Sequence, residues 1–439
     1  MPAPLAYPSR GRAWYAVSVL LYANVVSYMA RIAISLVVQP IKHDLGISDT
    51  RISLLQGLSF TLFFVVMGLP CGWLADRVNR RNLLLPATLL WCAMAILGGL
   101  SASYGELFAS RIFLGIGEAA LVPAGFSIIA DYFPPQRRGK PIAIFMGASA
   151  LGVGLGTLGG GLILKALAAY PDFHLPGLGT LAPWRALFCL TALPGLLGVV
   201  ALLTLEEPVR HAAGAPQAAG AARGGFLAFV RGARGALTPV YAGSALTTLA
   251  FYALVAWSVT LFVRHYHLGI PAAGLVVGVI NTAVGFLAMY GGGVLGDRLA
   301  VGSRPGGRLR VAVPAMGAAV PGLLLLCLAP STAPAWAIVG LVIANGGLYM
   351  AGGAFYPAIQ DVAPNAFRGQ SVAIMLFGNN LIGATLGPTL VALATDGLFH
   401  DPDRLATSLA IVIIPALVAA AVIVRSGYAE FGRAQRAVT

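Results

Sequence analysis

Residues Arg111 to Gly139 read RIFLGIGEAALVPAGFSIIADYFPPQRRG, an apolar run that ends in a basic loop. Arg111 and Glu118 lie seven residues apart, so a helix puts both on one face with Gly115 between them. No other acid lies deep in an apolar stretch of this chain. A charge held at membrane depth costs about 3 kcal/mol or more and marks a functional site by default. The plainer alternative is an Arg–Glu pair that only joins two helices.

The same reading extends outward. With 58% hydrophobic and only 10% charged residues, and a mean hydropathy of +0.84, the chain cannot present the polar surface of a soluble globule. Stretches of about 20 apolar residues, enough to cross roughly 30 Å of hydrocarbon, recur along its length. Twelve are expected, near 14–39, 52–75, 82–101, 105–130, 140–165, 184–205, 238–263, 272–296, 309–329, 334–359, 370–394 and 404–425.

In a soluble protein a net charge of +13 would suggest nucleic acid, but here the basic residues alternate by loop. With the N-terminus inside, 20 of the 28 Lys and Arg fall on the inner side, six fall outside, and Arg31 and Arg111 lie within spans. This asymmetry predicts both termini in the cytoplasm and a multi-pass protein of the cell (inner) membrane, with no nucleic-acid partner. Cys71, Cys92, Cys189 and Cys327 all sit in apolar spans, which supports neither disulfides nor a zinc cluster. The first apolar run is too long for a cleavable signal peptide and lacks its cleavage site.

The first span carries Asn24, Tyr28, Arg31 and Ser35 at helical spacing, one polar stripe on a helix otherwise suited to lipid. Arg31 and Arg111 are expected at similar depth, with Glu118 about 10 Å further inward at 1.5 Å per residue. Asn24, Tyr28, Arg31, Arg111 and Glu118 are therefore the candidate substrate and proton residues.

Two loops repeat one pattern. GWLADRVNRRN, Gly72 to Asn82, and GVLGDR, Gly293 to Arg298, each place Asp-Arg four and five residues after a glycine. Asp131 precedes Arg138-Gly139 with the spacing at which Asp361 precedes Arg368-Gly369, and GASALGVGLG from Gly147 matches GNNLIGATLG from Gly378. The chain thus reads as two homologous six-span halves, 1–205 and 237–439, joined by a cytoplasmic linker, 206–236. The linker middle is Ala/Gly-rich, and Phe226, Phe229 and Val230 with Arg231 and Arg234 suit a short interfacial helix. Such repeats are typical of transporters that rock one half against the other. The loop charges Asp76, Arg77, Arg81, Asp131, Arg138, Asp297, Arg298, Asp361 and Arg368 are the candidate cytoplasmic gate.

On GWLADRVNRR, its echo GVLGDR, RIFLGIGEA and the glycine-rich fifth span, the chain resembles the major facilitator superfamily across essentially its whole length. Within it, SDTRISLLQGLSFTLFFVVMGLPCGWLADR from Ser48, GIGEAALVPAGFSIIADYFPPQRRG from Gly115 and WRALFCLTALPGLLGVVALL from Trp184 look most like the Spinster family, whose members export lysolipids and sphingoid phosphates. The resemblance implies an all-α fold of twelve transmembrane helices and alternating-access transport. It leads one to expect Asp-Arg in the first span, where this chain has Ala30-Arg31, and Gly at Asn79.

The expected function is therefore secondary transport of an amphipathic anion of lysophospholipid or sphingoid-phosphate type, with protons as the candidate coupling ion. Symport of a small organic anion with protons is the alternative. A membrane-embedded enzyme or receptor would need a catalytic cluster or a sizeable soluble domain, and neither is visible in the sequence. The aromatic residues Tyr252, Trp257, Phe286 and Tyr349 suit an amphiphile's apolar part or ordinary core alike. No cofactor or metal is expected, and the chain is expected to act as a monomer.

Overall fold

A computed structural model describes residues 7–134, 137–169, 174–175, 179–210, 221–300, 306–364 and 367–438. Among the described residues twelve helices are long and apolar enough to cross a membrane: Arg10–Leu36, Asp49–Ala75, Arg80–Leu100, Tyr104–Tyr132, Gly139–Ala168, Pro183–Leu203, Arg234–Arg264, Ile270–Ala300, Leu309–Leu328, Pro334–Val362, Arg368–Phe399 and Pro402–Ser426. Each overlaps its expected span. The largest difference in extent is at the eleventh, which runs on to Phe399 and takes in Asp396. Among the described residues the fold is all-α apart from one two-residue antiparallel pair, His174–Leu175 with Gly179–Thr180.

Local chemistry sets several helix starts. Ser103 accepts from the Glu106 amide at 3.3 Å while the Glu106 carboxylate accepts from the Ala102 amide at 2.7 Å, so two otherwise orphan amides are satisfied where the fourth span begins. Asn79, where the family resemblance suggests glycine, caps Arg80–Leu100 by accepting from the Asn82 amide at 3.0 Å. Ala221–Gly232 in the linker is helical, and Phe226 and Phe229 pack their rings on Phe367 at 5.6 and 5.4 Å. The Ala/Gly-rich stretch 211–220 lies outside the described residues.

The chain divides into two compact units. The first comprises Met1–Ile47 and Ser59–Gln217; the second comprises Ser48–Leu58 and Ala218–Thr439. The second span is therefore split between them after Leu58.

Within the first unit, the first and fifth spans interlock because glycines leave room for backbone. A Cβ at Gly152 would lie 2.7 Å from the Val25 carbonyl, and one at Gly156 2.8 Å from Met29 Cα. Within the second unit, Gly383 meets Thr248 at 2.6 Å and Gly387 meets the Leu249 carbonyl at 2.6 Å in the same way. Small residues at such crossings let helices approach where lipid supplies no hydrophobic driving force. The second unit also carries three π-helical segments, Ile280–Val284, Asn379–Leu386 and Ala394–Phe399, a geometry found frequently at functional sites.

Candidate functional site

The polar stripe of the first span turns into the interior of the first unit. Asn24, buried, donates its amide to the Phe145 carbonyl at 3.2 Å and so ties the stripe to the fifth span. One and two turns further on, Tyr28 and Arg31 stack, with the guanidinium 4.6 Å from the ring centroid.

Arg31 donates to Glu118 Oε2 at 2.9 Å, and Ser27 donates to the same oxygen at 2.6 Å. The Glu118 side chain is fully buried. Its other oxygen, Oε1, has no hydrogen-bond partner among the described residues. The helix of the fourth span stops at Glu118 and resumes at Leu121, so the carboxyl group sits at a backbone interruption. Arg111, buried, donates Nη2 to the Arg31 carbonyl at 3.2 Å. The predicted residues Asn24, Tyr28, Arg31, Arg111 and Glu118 therefore share one region.

Phe60 completes this cluster and was not evident from the sequence. Its ring lies 4.1 Å from the Arg31 guanidinium and 5.6 Å from that of Arg111. Phe64 lies 4.9 Å from Arg31. Gly115 explains the approach: a Cβ there would stand 2.5 Å from the Phe60 carbonyl, so only glycine lets the second span come this close. Ser27 was also missed, although its place four residues before Arg31 was a usable signal.

The loop charges are arranged differently from the expected pairs. In the first unit the hub is Arg80, fully buried, which pairs with Asp131 and with Glu207 at 2.7 Å and donates to Ser127 at 2.9 Å. Glu207 also accepts from the Arg81 amide at 3.1 Å. Arg77 stacks on Trp73 at 4.1 Å, and the Asp76 carbonyl accepts from Arg210. In the second unit Arg308 is the hub, pairing with Asp297 and, at 2.9 Å, with Asp361. Arg138 donates to the Phe133 carbonyl at 2.9 Å and Arg368 to the Ala363 carbonyl at 3.1 Å, so each bonds to backbone five residues before it. Arg298 is exposed. Arg80, Arg308 and Glu207 were missed; the acidic pair Glu206-Glu207 at the start of the linker was the available clue to the first hub.

The expected aromatic residues fall into different environments. Trp257 is fully buried and donates to the Pro388 carbonyl at 3.0 Å, Phe286 is exposed, and Tyr349 packs edge-on against Phe251 at 4.9 Å. Among the described residues no group of His, Cys, Asp or Glu is arranged to hold a metal ion.

These features agree with comparison to known proteins. Residues 20–388 match the model of the Major Facilitator Superfamily. An MFS-type efflux pump of Mycolicibacterium smegmatis is 30% identical over 408 residues, covering 92% of this chain and 90% of the pump. Protein spinster of Drosophila melanogaster is 30% identical over 215 residues, 48% of this chain and 33% of that protein. A probable L-galactonate transporter of Escherichia coli is 34% identical over 138 residues, 31% of this chain and 30% of that protein. Among solved structures, a bacterial homolog of the human lysosomal transporter Spinster, inward-facing and unoccupied, superposes with a TM-score of 0.76 at 24% identity over 98% of both chains. Twelve apolar helices, a repeated glycine interlock and a match over most of the sequence converge, and the chain belongs to the Major Facilitator Superfamily as a multi-pass membrane transporter.

Proposed function

We propose that the protein is an alternating-access transporter of an amphipathic anion of the lysophospholipid or sphingoid-phosphate type. The observation that carries this reading is the cluster of Arg31, Arg111 and Glu118, two guanidinium groups for one carboxylate, with Arg111 and Glu118 buried, Arg31 partly exposed and both arginines against aromatic rings. A guanidinium offers paired donors that match phosphate or carboxylate geometry, and Tyr28 and Phe64 give the same site an apolar wall. The resemblance to the Spinster family, which implies lysolipid export, supports a lipid-like substrate, and a Spinster protein is similar to part of the chain. Similarity to a probable L-galactonate transporter supports the second reading, a small organic anion.

Glu118 is the proposed proton carrier. Oε2 is held by Arg31 and Ser27 while Oε1 has no partner among the described residues, so a proton has a place to bind when Arg31 turns to the substrate. The excess of basic residues on one set of loops supports a cell-membrane protein with both termini in the cytoplasm. The charges Asp76, Arg77, Arg81, Asp131, Arg138, Asp297, Arg298, Asp361 and Arg368 then serve as the cytoplasmic gate, and the protein acts as a monomer without a cofactor.

A thermal-shift panel on purified protein tests the substrate class, because a ligand that binds only the folded state raises its apparent stability. Lysophospholipids and sphingoid phosphates should stabilise the protein and hexonates should not. Stabilisation by the hexonate alone would replace the first reading with the second.

A further inference from the structure

The second span is broken at Gly57, and what lies on each side of the break suggests a control. Ser48 caps the short helix Asp49–Gln56, accepting from the Arg51 amide at 3.3 Å. This helix belongs to the second unit. Its attachments there are polar and buried. Asp49, 0% exposed, takes a two-pronged pair from Arg264, with both N–O distances 2.6 Å. Thr50 donates its amide and its hydroxyl to Asp396 at 2.6 and 2.8 Å, and Gln56 donates to the Ala256 carbonyl at 3.2 Å. At Gly57 a Cβ would stand 2.9 Å from the Ala384 carbonyl, so the backbone seats directly on the eleventh span. Ala384 and Asp396 both lie in π-helical segments. Three residues after Gly57 comes Phe60, in the first unit, with its ring against both site arginines.

We propose that Phe60 is a positioning residue that holds Arg31 on Glu118, and that the Asp49–Arg264 clasp sets its place. Arg31 meets Phe60 on its face and Glu118 at its edge, so an incoming anion competes with both. A buried two-pronged ion pair is costly to half-break and so favours two discrete states, closed or released. Release of the clasp frees the segment before Gly57, and the four residues Gly57 to Phe60 carry that freedom to the ring. Arg31 then leaves Glu118 and becomes available to the anion. Span two thus couples a clasp in one unit to a charge cluster in the other through covalent continuity, a defined element that both sites bias.

This inference rests on the proposed role of Arg31 in anion binding, and the experiment separates the two. The probe is 1-oleoyl lysophosphatidylglycerol, titrated onto the full-length protein in detergent, with hydrogen exchange of the Ile52–Gln56 amides read in parallel. Asp49→Asn should speed exchange in that helix and tighten probe binding about fivefold or more, within the ordinary range of coupling between sites. Phe60→Leu should tighten binding to a similar degree without speeding exchange, and the double variant should gain little over either single one. The charge swap Asp49→Arg with Arg264→Asp should return both readouts towards the wild type, and Arg264→Lys gives a milder opening that keeps the test if Asp49→Asn does not fold. Faster exchange with unchanged or weaker probe affinity, while Arg31→Ala weakens binding about tenfold or more, overturns the coupling and leaves the anion site standing. An Arg31→Ala protein that binds as the wild type does would instead overturn the anion site.

Discussion

The two units repeat one packing scheme and differ in what they bury. Gly152 packs on Tyr28 as Gly383 packs on Thr248, and Gly156 on Met29 as Gly387 on Leu249, which aligns Arg31 with Phe251. Gly117 faces Ala87 and Trp91 as Gly347 faces Ala315 and Ala319, which aligns Glu118 with Leu348 and Arg111 with Leu341. The ion cluster of the first unit thus has an aromatic and two leucines as its counterpart. Among the described residues of the second unit, the buried polar side chains are Ser, Thr and Asn, apart from the Asp49–Arg264 clasp. Backbone interlock is steric and survives such exchange, whereas a buried charge needs its partners to be present together. Packing and chemistry are therefore separable in this chain.

The largest contrast is expected at the hubs. Arg80→Ala leaves Asp131 and Glu207 without their buried cation and should cost about 3–5 kcal/mol, whereas Arg308→Ala, which loses an exposed partner in Asp297 and a partly exposed one in Asp361, should cost less, about 1–2 kcal/mol. Thermal unfolding of the two variants checks this, and equal losses would show that exposure does not govern the difference.

Next in size is a direct assault on the alignment. Phe251→Arg should lower thermal stability by roughly 3 kcal/mol, the cost of an unpaired charge in a membrane helix. Adding Leu348→Glu should recover much of it. No recovery would mean that the two positions do not face one another as Arg31 and Glu118 do.

A smaller effect is expected within the charge cluster. Arg31→Ala and Arg111→Ala should each weaken binding of an anionic lysolipid about tenfold to a hundredfold, corresponding to a lost charge-assisted hydrogen bond of roughly 1.5–3 kcal/mol. Titration of the purified variants reads the change, and unaltered affinity in both singles and the double would exclude the guanidinium groups from recognition.

The smallest effect concerns Ala30, buried beside Arg31 where the family resemblance suggests Asp. Ala30→Asp supplies a second carboxylate to compete for Arg31 and should raise the response of liposome transport to an imposed pH gradient about twofold, or roughly 0.4 kcal/mol. Glu118→Gln should abolish that response. A gradient response that persists without Glu118 would place the proton elsewhere.

The sequence by itself determined the twelve spans, because hydrocarbon thickness fixes segment length and apolarity is additive along the chain. It also carried the internal repeat of Asp131 and Asp361 at matched spacing from Arg138 and Arg368, and it pointed to the charge cluster, because charges are rare within apolar segments. Only the tertiary structure decided that Phe60 stands against Arg31, since an aromatic in an apolar span carries no mark of what it touches. It likewise decided that Asp131 pairs with Arg80 rather than Arg138, and that Asp49 belongs with Arg264. Partners far apart in sequence are chosen by where helices cross, and spacing along one helix reports only which residues share its face.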